Sequence, residues 1–151
     1  MEQLQRELYQ AAARTFEDLA FMFPVPESKF TAETEGKSVS VAFTGLFDGR
    51  LLVTAQSRLL PVIAANMLGE EDATTEAQQW DALGEVANVS CGNILPSIGG
   101  LTTVFRLDAP KPAETVSGAT PTASATLSFE EGCVGLYLYV AGHGTPDGAW
   151  N

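Results

Sequence analysis

The sequence predicts an α+β fold: an antiparallel β-sheet with helices packed on one face, built as an approximate duplication of a helix-plus-strands unit. Three observations predict it. Two long segments carry apolar residues at helical spacing, several shorter ones alternate apolar and polar residues between turn signals, and the order of elements runs twice along the chain. Helices grouped around antiparallel strands give a layered α+β arrangement instead of a parallel α/β one.

The first element places Leu4, Leu8, Ala11, Thr15, Phe16 and Leu19 on one face of a helix that is expected to end near Phe23-Pro24. Beyond Pro26 the period changes to two. Residues 30–35 are expected as a strand, Glu35-Gly36-Lys37 as a turn, and Val39, Val41 and Phe43 as the apolar face of a second strand. Phe47-Asp48-Gly49-Arg50 has the composition of a hairpin turn, and 51–55 is expected to return as a strand. Ser57 is placed to cap a short helix through Leu60, Ile63, Ala64, Met67 and Leu68 that stops at Gly69.

After an acidic connector at 70–74, Thr75 with Gln78 three residues on forms a capping-box pattern. The helix it opens is expected to reach about Leu95, with Pro96 and Gly99-Gly100 ending it. Residues 102–107 are expected as a strand and 115–121 as a loop. Residues 123–129 and 133–141 are expected to pair across Glu130-Glu131-Gly132, and the tail from 142 to be irregular. The whole, 1–151, suits one domain.

Composition narrows the function classes. With 45% hydrophobic and 18% charged residues the chain is that of a folded globular protein. No apolar run approaches the ~20 residues of a membrane span, and the polar MEQLQRELYQ start does not resemble a secretory signal. Cys91 and Cys133 have neither metal-site nor disulfide-framework spacing, so a reducing cytoplasm is the expected location. A formal net charge of −11 argues against nucleic acid or anionic membrane as partners.

The long helix carries the chemistry. At about 100° per residue, Trp80, Leu83, Ala87, Cys91, Ile94 and Ile98 fall on one side, expected to face the core. Asp81, Glu85, Asn88 and Gly92 fall on another, giving an outward stripe of two carboxylates, an amide and a glycine. A solvated helix face would have the same composition. Glycine within a helix costs about 1 kcal/mol relative to alanine, and at Gly92 it bares backbone beside Asn88 where another molecule could approach.

The spacing of these residues fits D-x3-E-x2-N-x21-P as Asp81, Glu85, Asn88 and Pro110, which resembles the pattern of the CheC/CheX/FliY phosphatases. EVANVSCGNIL is similar to that family's E-x-x-N-x-x-A-G-N stretch, and FTGLFDGRLLV with a short helix ending in MLG resembles its first half. The first helix offers only Glu7 and Gln10, with Ala32 where a second motif would have proline, so a single-motif, CheX-like chain is the closer match.

The resemblance implies a phosphatase for the aspartyl-phosphate of a CheY-like response regulator in chemotaxis. Asn88 would orient the attacking water, and Glu85 would pair with the regulator's active-site lysine. Asp81 and Gly92 would support docking, and Pro110 would reverse the chain. It further implies a homodimer with one site per subunit, magnesium held by the regulator, and no intrinsic cofactor. The rival readings are a catalytically inactive adaptor for a receiver or flagellar-switch partner, and a ligand-binding regulatory domain. His143, alone among glycines in the tail, has no evident triad partner, and Gly99-Gly100 lacks phosphate-loop spacing.

Overall fold

A computed structural model of the chain describes residues 2–26, 36–69, 74–100, 104–113 and 120–141. Its helices are α1 (Glu2–Ala20), α2 (Leu60–Leu68) and α3 (Glu76–Gly99). Its strands are β1 (Gly36–Thr44), β2 (Asp48–Gln56), β3 (Arg106–Leu107), β4 (Lys111–Ala113), β5 (Ala123–Ser128) and β6 (Cys133–Ala141). Every strand pairing among these is antiparallel, in the order β3-β1-β2-β6-β5, with β4 lying along β1 as well. The α+β expectation holds.

The sheet forms because period-two segments put alternate residues on one face. Val39, Val41 and Phe43 of β1, Leu51 and Val53 of β2, and Leu136, Leu138 and Val140 of β6 are all buried together. Against that face, α1 packs on β5 while α3 packs on β1 and β2. Leu8, Phe16, Leu83, Ile94 and Ile63 from the helices are buried in the same core. Each such side chain contributes about 1.5–3 kcal/mol. Phe16 and Phe129 meet with ring centroids 5.0 Å apart, and Phe43 meets Phe105 edge-on at 5.8 Å.

Several boundaries differ from the sequence expectation, each for a local reason. The first helix stops at Ala20, short of Phe23-Pro24, because Phe21 turns left-handed at φ 54°. There the Asn66 amide of α2 donates to the Ala20 carbonyl at 2.9 Å. Gly36 and Lys37 are strand residues paired with Gln56 and Ala55, not a turn. The β1–β2 reversal lies at 45–47, so Asp48 and Gly49 belong to β2. Gly49 is glycine for room: a Cβ there would sit 2.1 Å from the Tyr139 carbonyl oxygen and 2.6 Å from the Phe43 ring.

Ser57 does not cap α2. The helix starts from Leu59, with a proline in its first turn and without a side-chain cap, and ends as expected at Gly69 with φ 71°. The β5–β6 hairpin turns over Glu130-Glu131-Gly132 as expected, closed by Phe129 N–H donating to the Gly132 carbonyl at 2.8 Å. Only Arg106–Leu107 of the anticipated 102–107 strand is observed, residues 102–103 lying outside the described residues. The anticipated strand at 30–35, most of the loop at 115–121, and the tail from 142 with His143 and Trp150 also lie outside them.

The helix α3 opens as the sequence predicts. Thr75 Oγ1 accepts from Gln78 N–H at 3.1 Å, and Gln78 Oε1 accepts from Thr75 N–H at 2.8 Å. It does not end at Leu95. The helix continues through Pro96 to Gly99, and Gly100, at φ 86°, donates its N–H to the Pro96 carbonyl at 2.9 Å. Packing of Leu95 and Ile98 into the core carries the helix past a residue that propensity alone would make its end.

Candidate functional site

The outward stripe exists on α3. Asp81, Glu85 and Gly92 are exposed and Asn88 is half-buried, while Leu83, Ala87, Cys91, Ile94 and Ile98 of the opposite side are buried. From Asp81 to Gly92 the stripe is about 16 Å long at the helical rise of 1.5 Å per residue. A Cβ built on Gly92 finds no atom within 4 Å, so the helix surface there is open backbone.

What holds the stripe in place is the flank of the helix. Asn93, the residue after Gly92, donates its side-chain N–H to Thr15 Oγ1 of α1 at 3.0 Å, and Thr15 in turn donates to the Ala11 carbonyl at 2.8 Å. The link fixes the rotation of α3 about its axis relative to α1. Cys91 is fully buried, and desolvation pushes its thiol from the ordinary 9.0 up to about 12. It is a small buried hydrophobe and takes no part in the site.

Pro110, separated from Asn88 by 21 residues, is brought to the same helix. A Cβ on Gly84 would lie 3.3 Å from Pro110 Cβ, so the glycine is what lets the proline pack on α3 between Leu83 and Glu85. The proline also leads directly into β4, whose Lys111, Pro112 and Ala113 pair with Ser40, Val39 and Ser38 of β1. Pro110 thus sets the edge of the sheet beside the first turns of α3.

Between that edge and α3 lies a groove of about 490 Å³, lined by Val39, Trp80, Asp81, Gly84, Glu85, Pro110, Lys111 and Pro112. Its charged lining residues are Asp81 and Glu85 from α3 and Lys111 from β4. Trp80 is half-buried and packs against the core as expected, and it also lines the groove, with the Lys37 ammonium 5.2 Å from its ring centroid.

Trp80, Lys111 and Gly84 are the site neighbours that sequence reasoning missed. The available signal was the Pro-Lys-Pro run at 110–112, whose prolines argue against a central strand but are tolerated on an edge. Among the described residues no group of three or more His, Cys, Asp and Glu side chains gathers as a metal cage. Nor, among them, is any helix long and apolar enough to cross a membrane. The arrangement offers an exposed helix face with a half-buried amide near its middle.

Known proteins with this fold include a chemotaxis protein CheX from Desulfovibrio desulfuricans. It is 18% identical, with a TM-score of 0.74 over 92% of this chain and 99% of that one. A CheX from Borrelia burgdorferi, solved in a complex with CheY, beryllofluoride and magnesium, is 16% identical with a TM-score of 0.66 over 89% and 96% of the two chains. FliY of Thermotoga maritima is similar at 18% identity, with a TM-score of 0.60 over 92% and 87%. No curated protein sequence matches. The family model described as chemotaxis phosphatase CheX matches residues 38–130, which span β1 through the β5–β6 turn and contain the whole stripe and Pro110. With that match over more than half its length, the chain belongs to the CheX family of chemotaxis phosphatases.

Proposed function

We propose that this chain hydrolyses the aspartyl-phosphate of a CheY-like response regulator, with Asn88 orienting the attacking water. The observation that carries the reading is the exposed face of α3, where Glu85 and Asn88 lie one turn apart on an open ridge that continues over Gly92. A ridge of this kind can enter a phosphorylation pocket that a concave site could not.

The chemistry fits an amide. The Asn88 carbonyl oxygen accepts one water hydrogen and its NH2 group can donate, so the remaining water lone pair is held in line with phosphorus. Attack forms the new P–O bond as the bond to the aspartyl oxygen breaks, releasing inorganic phosphate and restoring the regulator's carboxylate. An amide is not a general base, so its contribution is positioning, which dominates in phosphoryl transfer. Glu85 pairs with the regulator's lysine and sets the register. Magnesium belongs to the regulator, and this chain needs no cofactor of its own. A cytoplasmic homodimer with one site per subunit completes the reading.

The test follows the decay of a phosphorylated CheY-type receiver. Wild-type protein accelerates it, while Asn88→Ala lowers turnover by about 100-fold or more, the scale of lost positioning, and still binds. Glu85→Ala weakens binding about tenfold, equivalent to about 1.4 kcal/mol, and lowers turnover. Full activity in Asn88→Ala sinks the mechanism. Binding without acceleration by the wild type selects the adaptor instead.

A further inference from the structure

Two features of α3 coincide on the stripe and neither has a structural explanation. Gly92 is a mid-helix glycine whose missing Cβ makes room for nothing in this chain, since no atom lies within 4 Å of where it would be. Four residues on, Pro96 sits inside the same helix and is also exposed. In an α-helix the N–H of residue 96 donates to the carbonyl of residue 92. Proline has no N–H to donate, so the Gly92 carbonyl lacks its ordinary helical donor.

Both features weaken the helix, and they meet at one peptide group, between the water-orienting amide and the helix end. At about 100° per residue, Asp81, Glu85, Asn88, Gly92 and Pro96 all fall on one face. The carbonyl left without its donor therefore lies on the docking ridge instead of in the core, where it would carry a desolvation penalty.

We infer that the Gly92 carbonyl is a docking acceptor for a backbone N–H on the rim of the receiver's phosphorylation pocket. The inference rests on the phosphatase reading for the identity of the partner. The donor is a main-chain amide because the absent Cβ allows backbone to meet backbone. A lysine or arginine could reach over a methyl group, so it would place no demand for glycine at 92. The contact adds to the hold of the ridge on the receiver, while Asn88 places the water.

The prediction is that stability and docking move in opposite directions. Gly92→Ala adds a methyl to the ridge, and Pro96→Ala restores the N–H that occupies the carbonyl. Each raises the unfolding midpoint by about 2–4 °C or more, since both replace poor helix formers. Each also raises KM for the phosphorylated CheY-type receiver about tenfold while kcat stays within roughly threefold, as loss of a docking contact requires. A raised midpoint with wild-type KM in both variants overturns the contact. A raised KM in Pro96→Ala alone overturns the backbone donor in favour of a side-chain one. Should Gly92→Ala fold poorly, Pro96→Ala decides, because it adds no bulk beside Asn88.

Binding to the receiver loaded with beryllofluoride and magnesium separates this inference from the phosphatase reading. If the wild type binds without accelerating decay, and both variants bind more weakly, the contact stands and the phosphatase reading falls. If the wild type does not bind, both fall.

Discussion

Asn88 and Cys91 are three residues apart on one helix and serve opposite ends. The helical period sends the amide to the ridge and the thiol to the core, where burial raises its pKa from 9.0 to about 12. Below pH 9 the thiol is protonated whether the chain is folded or unfolded. Between pH 9 and about 12 the unfolded chain loses the proton while the folded one keeps it, so this thiol's contribution to stability is lost as pH rises through that window. Cys91 is therefore expected to resist alkylation at pH 8 in native protein and to react in denaturant. The fall in stability from pH 9 to 12 should be shallower in Cys91→Ala. Rapid alkylation of the native chain at this residue would contradict its burial. At this scale the sequence was a good guide: Asp81, Glu85, Asn88 and Gly92 fell on the outward face as the wheel predicts. Trp80 packs against the core as the wheel predicts, but its place in the groove was not legible, because a wheel gives direction without saying where the sheet ends.

Elements were less legible than residues, and the reasons are physical. The Asp48-Gly49 pair has the composition of a turn, yet Gly49 lies in β2, where the Tyr139 backbone and the Phe43 ring leave no space for a side chain. Lys111–Ala113 became a strand despite Pro112, because β4 pairs with β1 alone among the described strands and so lies at an edge, where proline is tolerated. Pro96 stays inside α3 because tertiary packing outweighs propensity. Within α3 the two glycines show how different the reasons for one residue can be. Gly84 is glycine because Pro110 rests on it at 3.3 Å from the built Cβ, whereas Gly92 has open space. Gly84→Val is therefore expected to cost about 1–3 kcal/mol through overpacking against Pro110. Chemical denaturation of both valine variants checks this, and a Gly84→Val midpoint no lower than that of Gly92→Val would remove the packing role assigned to the Gly84–Pro110 contact.

At the scale of the whole molecule, the duplicated order of helix and strands raises the question of one site or two. The helix α1 occupies the position in the first half that α3 occupies in the second, and it carries Glu7 and Gln10 at the spacing of Glu85 and Asn88. Two differences argue that this half is structural. Glu7 is half-buried on that helix, whereas Glu85 is exposed. No glycine opens the α1 backbone one turn beyond Gln10, where Arg14 instead faces Asp18 across an exposed ion pair at 3.7 Å. A long arginine side chain on the ridge blocks the close approach that Gly92 permits. The double variant Glu7→Ala/Gln10→Ala should therefore dephosphorylate the receiver at the wild-type rate, within roughly twofold, as substitutions distant from a site usually do. Asn88→Ala should leave no second, smaller activity behind. Titration against the beryllofluoride-loaded receiver should saturate at one receiver per chain. Residual turnover of about half in Asn88→Ala, lost on adding the α1 substitutions, would show instead that the first half retains a working site and that the two ridges act independently.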